Sequence, residues 1–80
     1  MSATLDSLPP MKRAVMWRVG RGLTDKEIAA ELGIGVRTVK EHLWIARNRL
    51  GLELPTRVQL AMWVWEQQGR LGPEPTEWGE

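Results

Sequence analysis

Eighty residues, 42% of them apolar, suffice for one small domain near the lower end of what supports an independent core. The chain has no cysteine, which excludes disulfides and thiolate metal sites. No apolar run approaches the roughly 20 residues of a membrane span, and MSATLDSLPP lacks the basic-then-apolar order of a signal peptide, so a cytoplasmic protein is expected.

The net charge of +1 conceals a split. Residues 1–50 hold nine Lys or Arg against five Asp or Glu, a balance of +4, whereas residues 51–80 hold two against five, a balance of −3. Any electrostatic footprint for a polyanion therefore lies in the first part of the chain.

Residues 1–7 read as an N-terminal extension. A first helix should open at Pro9-Pro10, because proline is tolerated where helical amides lack partners, with Ser7 as its candidate cap. Met11, Val15, Met16 and Val19 form its apolar stripe, Trp17 falls at an expected solvent position, and Arg18 interrupts the stripe with a stem that can lie flat. Gly20 and Gly22 should end it.

A second, short helix follows. Thr24 and Glu27 form a T-x-x-E capping box, and Asp25 adds negative charge at the positive end of the helix dipole. Ile28, Ala29 and Leu32 make one apolar face. Gly33 stands where a helix end favours a left-handed residue, Ile34 is an apolar turn residue, and Gly35 is the expected cap of the next helix.

The third helix should run from Val36 to about Leu50, with Val39, Leu43, Ala46 and Leu50 as its buried seam. Its other side carries Arg37, Lys40, Glu41, Trp44, Arg47 and Asn48. Solvation alone would explain any one of the charges, but not a tryptophan among them. A capped short helix, a glycine turn and a cationic helix have the order of a helix-turn-helix, a device that lays its second helix in a DNA groove.

Gly51 should close that helix, and LELP connects it to a fourth, opened by a T-x-x-Q box at Thr56 and Gln59 and ended near Gln68 by Gly69. Its interior is apolar on nearly every side. Val58, Ala61, Met62 and Trp65 make one stripe; Leu60, Trp63, Val64 and Gln67 make another. A surface helix of a small monomer buries only one face. The second stripe is expected outward, making Leu60, Trp63, Val64 and Gln67 the interface of a homodimer. Residues 70–80, with two prolines and three glutamates, read as a flexible acidic tail, leaving 8–69 as the domain.

No nucleophile–base pair, carboxylate dyad or phosphate loop is visible, so the chain is not expected to be an enzyme. His42 is the only histidine and lacks a second ligand, so no metal or cofactor is expected.

The segment GLTDKEIAAELGIGVRTVKEHL resembles the DNA-binding domain of LuxR/GerE-type transcription regulators, whose pattern is a G-L-[ST]-x-x-E-I-A opening, a turn, then T-V-K-x-H-L. Gly22, Leu23, Thr24, Glu27, Ile28, Ala29, Leu32, Thr38, Val39, Lys40, His42 and Leu43 match it, followed by Leu50-Gly51. Leu8, Val15, Met16 and Val19 fit the family's first helix, and Arg57 fits the start of its fourth. The resemblance covers about residues 8–70. It implies an all-α, four-helix domain without winged elements, whose third helix reads the major groove of double-stranded DNA and whose fourth supports dimerisation.

By the same resemblance, Lys40 matches a lysine near the groove and Thr38 a backbone-contacting position, while Glu41 and Trp44 stand where residues vary with the target. Their chemistry suits a cytosine amino group and a thymine methyl or sugar, respectively. Arg37, Lys40 and Arg47 suit phosphates. Three departures stand out: Gly35 replaces a serine cap, Lys12 replaces an acidic residue, and the link through Glu53-Leu54-Pro55 is two residues longer.

LPPMKRAVM and TVKEHLWIARNRL also resemble region 4 of sigma factors, which reads a promoter element and docks on RNA polymerase. His42-Leu43 and a full fourth helix favour the LuxR/GerE type. A helix-turn-helix serving as a protein-binding module, on RNA polymerase or a sigma factor, is the third option.

Overall fold

In the computed structural model, which describes residues 5–53 and 56–71, a 3-10 turn at Leu5–Ser7 precedes four helices: α1 Pro10–Gly20, α2 Asp25–Leu32, α3 Val36–Leu50 and α4 Arg57–Leu71. Among the described residues there is no strand, and the all-α, four-helix expectation holds. The expected tail beyond Leu71, with Trp78, lies outside the described residues, as do Leu54 and Pro55 of the link.

The packed unit starts earlier than expected. Leu5 is fully buried, in one cluster with Leu8 and the helices, so part of the expected extension belongs to the core. The amide of Leu8 donates to the carbonyl of Leu5 at 3.1 Å and closes the turn. Ser7 lies in that turn and not at the cap position of α1, which is Pro9, and Pro10 opens the helix.

α1 is the central helix, flanked by α3 and α4. That position explains why Ala14, Val15, Met16, Trp17 and Val19 are all buried. A helix between two others needs no polar face, so Trp17, expected at solvent, is covered. Arg18 lies across the helix: its Nη1 donates to the Ala14 carbonyl at 3.0 Å and its Nε to Glu31 at 2.9 Å, tying α1 to α2.

α1 ends at Gly20, as expected, but that glycine also serves packing. A Cβ there would lie 2.6 Å from Val64 Cγ1 and 2.7 Å from Gln68 Nε2, so the missing side chain is a notch into which α4 fits. The turn beyond is made by Gly22, at a φ of 86°.

α4 corrects the assignment of its two apolar stripes. Leu60 and Val64, expected at a dimer interface, are buried in the molecule's own core, and Trp63 and Gln67 are half-buried beside them. The outward face is Val58, Met62 and Trp65, each more than 60% exposed. Periodicity could not choose between two apolar stripes; polar bonds at both ends do. Gln68 Nε2 donates at 2.7 Å to the carbonyl of Trp17, one of the last four of α1, which a helix leaves without partners. At the other end, Arg57 Nη1 donates to Asp25 at 2.7 Å and Nη2 to the Leu23 carbonyl at 2.8 Å. Arg57, Leu60, Val64 and Gln68 recur at steps of three and four, so these bonds turn the 60/64 stripe inward. The Thr56 hydroxyl accepts from the Gln59 amide at 3.2 Å, as the capping pattern requires. Gly69 lies inside the helix and is not its stop.

Candidate nucleic-acid interface

The reading helix is set by the short helix before it. The Thr24 hydroxyl accepts from the Glu27 amide at 3.2 Å while the Glu27 carboxylate accepts from the Thr24 amide at 2.8 Å, the complete capping box. Gly33 ends α2 in the left-handed conformation, at φ 68° and ψ 34°. The Ile34 amide then donates to the Ala29 carbonyl at 3.0 Å, and Ile34 packs against the core. Gly35, extended, caps α3 without a side-chain bond.

α3 packs on α1 and α2 through Val39, Leu43, Ala46 and Leu50, the seam expected from its spacing. Burying that seam thrusts the opposite side outward. Arg37, Lys40, Glu41, Trp44 and Asn48 are exposed, and Thr38 and Arg47 are half-buried. All seven expected DNA-facing residues therefore lie on one helix, in the order phosphate-type cation, acceptor, aromatic, cation. Trp44, at 69% exposed, is the most open large apolar side chain among the described residues. The Asn48 side-chain amide donates to the Trp44 carbonyl at 2.8 Å and so commits one hydrogen to its own helix.

A groove runs along each flank of α3. One, of about 470 Å³, is lined by Leu43, Arg47, Asn48 and Leu52 on the side of the link. The other, of about 540 Å³, lies towards α1, where Lys12 faces Arg37, Thr38, Glu41, His42 and Ile45. Sequence periodicity did not assign Lys12 or the partly exposed Ile45 to this surface. Lys12 belongs to a different helix, and its one signal was that it stands where the resembled family has an acid.

His42 lies at the base of that second groove. Burial is the main cause holding its imidazole below its ordinary 6.5; the charge of Lys12 acts in the same direction, and Glu41 opposes it. Its Nδ1 is buried and makes no hydrogen bond. Among the described residues no three His, Cys, Asp or Glu side chains gather as a metal site, and no helix is long and apolar enough to cross a membrane.

A capped short helix, a left-handed glycine turn and a cationic helix raised from the core by its own seam define a helix-turn-helix DNA-binding domain, and the model of the luxR family of bacterial regulatory proteins matches residues 6–64. The chain belongs to that family. A relative is the "Putative HTH-type transcriptional regulator Rv0890c" of Mycobacterium tuberculosis, 46% identical over 54 residues. Those residues make up 68% of this chain but only 6% of that protein, so the chain corresponds to a small part of its relative. No solved structure matches the chain.

Proposed function

We propose that this chain is a sequence-specific transcription regulator, without catalytic activity, that acts in the cytoplasm as a homodimer and lays α3 in the major groove of double-stranded DNA. The observation that carries the proposal is the outward face of α3, where an acceptor and an aromatic, Glu41 and Trp44, stand exposed between the cations Arg37, Lys40 and Arg47. A helix that only needed solvation would not keep a tryptophan 69% exposed among charges. In the proposed complex the cations and Thr38 contact the backbone and set the register, while Glu41 accepts from a cytosine amino group and Trp44 packs on a thymine methyl or a sugar. Asn48, with one amide hydrogen committed to the helix, contributes a backbone contact.

The dimer forms through α4, on the face that the monomer leaves apolar. Val58, Met62 and Trp65 are 68%, 64% and 63% exposed. Covering a side chain of this size gains about 1.5–3 kcal/mol, which favours a second copy of the same face across a two-fold axis. Half-sites then lie about one helical turn, roughly 10 base pairs, apart.

Selection of bound sites from random duplex DNA, repeated at several salt concentrations, tests the proposal. A palindromic consensus whose affinity falls steeply with salt supports it. A single promoter-like hexamer bound by a monomer would favour the sigma-like alternative, and no enriched site with retained binding to RNA polymerase would favour a protein-binding module. Within a selected site, Glu41→Ala changes the preferred base at one position; unaltered preference would remove Glu41 from the reading role.

A further inference from the structure

We infer that Lys12, on the first helix, is a DNA phosphate contact, so that α1 and α3 hold one strand between them on the flank of the reading helix. This rests on the DNA-binding proposal above and adds to it an element outside the helix-turn-helix.

α1 is otherwise the innermost part of the molecule, with Ala14 through Trp17 and Val19 buried. Near its start Lys12, half-buried like Met11 and Arg13 beside it, forms one wall of a groove whose other wall is the Arg37, Thr38, Glu41 and Ile45 flank of α3. A buried stem carrying its charge to a rim is how lysine serves a polar partner beyond a packed surface. Lys12 makes no ion pair among the described residues, and the only carboxylate in its groove is Glu41, which lies on the reading face itself. Burial chiefly, and the charge of Lys12 after it, holds the His42 imidazole below its ordinary 6.5, so Lys12 lies within electrostatic reach of the base of this groove.

The groove is continuous with the face that carries Arg37 and Lys40, so a ligand in it is also a ligand of α3. In duplex DNA the edges of the major groove are rows of phosphates, and a helix laid in it has one row along each flank. On the α1 side, that row passes between Arg37 and Lys12. An acidic side chain at position 12 would repel it; the lysine present here attracts it.

Affinity of the full chain for a selected duplex and for a scrambled duplex, measured across a salt series, tests the inference. Lys12→Met keeps the apolar stem and removes the charge, Lys12→Arg keeps the charge, and Lys40→Ala is the benchmark. Lys12→Met should lower the slope of log affinity against log salt by about 1.8, roughly 0.9 for each protomer of the bound dimer, and weaken both duplexes alike, about thirtyfold near 0.15 M salt. Lys12→Arg should retain the wild-type slope. Replacing successive phosphates by neutral methylphosphonates, symmetrically in both half-sites, should reveal one position per half-site at which wild type and Lys12→Met bind equally. A wild-type slope in Lys12→Met, with a reduced slope in Lys40→Ala, overturns the contact and leaves the DNA-binding proposal standing. Absence of any salt-dependent DNA binding by the wild-type chain overturns both. Thermal melting of each variant separates a loss of charge from a loss of fold, because a destabilised but folded Lys12→Met would keep its slope.

Discussion

α3 and α4 are both 15 residues long, and each buries one stripe against α1, yet they turn opposite chemistries outward. α3 shows Arg37, Lys40, Glu41 and Asn48 around Trp44; α4 shows Val58, Met62 and Trp65. Water satisfies a charged face at no cost, so charge alone says little about a partner, and the informative residue on α3 is the aromatic one. An apolar face is the reverse case. Its exposure costs free energy in proportion to its area, so Val58, Met62 and Trp65 each argue for a cover.

The sharpest way to break this comparison is to exchange inside and outside on α4. Leu60→Ala empties a core position and should cost about 2–5 kcal/mol in denaturant unfolding. Met62→Glu, four-ninths of a turn away, should change monomer stability by only about 0.5 kcal/mol while shifting the proposed dimer to monomer in sedimentation at micromolar concentration. Equal effects of the two on stability would mean that α4 is not docked by its 60/64 stripe.

Smaller effects test the polar bonds that orient the two helices. Gln68→Leu removes the buried bond to the Trp17 carbonyl and should cost about 1–3 kcal/mol. Thr24→Ala removes the cap of α2, about 1 kcal/mol; the loss should appear in thermal unfolding and be partly recovered by Thr24→Ser. A loss in neither variant would mean that apolar packing alone sets the angle at which α3 is presented.

The smallest expected effect is a pH dependence. The folded state holds His42 below 6.5, so the unfolded chain takes up a proton first as pH falls. The stabilisation is whole above pH 6.5 and is lost as pH drops through the lower folded value. Urea midpoints measured between pH 7.5 and 5.5 should fall in the wild-type chain and change less in His42→Gln. Parallel curves would assign the dependence to other groups.

The helix-turn-helix was legible in the sequence because its signals are local. Thr24 with Glu27, Gly33, and the Val39–Leu43–Ala46–Leu50 spacing each act within one or two turns, and the seven residues expected to face DNA all lie on the outward side of α3. Signals that depend on a distant neighbour were not legible. Trp17 follows no single stripe because two helices cover α1 from different sides. The two stripes of α4 are equally apolar, and what separates them is a pair of bonds, from Arg57 and Gln68, to residues 32 to 51 positions away. Gly20 reads as a helix stop in one dimension and is also a packing notch in three. Lys12 faces α3 only because α1 and α3 pack together.

The Arg57 clamp has a consequence for how the domain can vary. Its two bonds fasten the first turn of α4 to Asp25 and to the Leu23 carbonyl, and the Gln68 bond fastens the far end to α1. The connecting chain after Gly51 is thereby relieved of any part in aiming the helix. Added length there would alter only the entropy of a loop, and doubling a loop costs roughly 0.6 kcal/mol. Insertions in the link should therefore leave α4 pointing where Arg57 holds it.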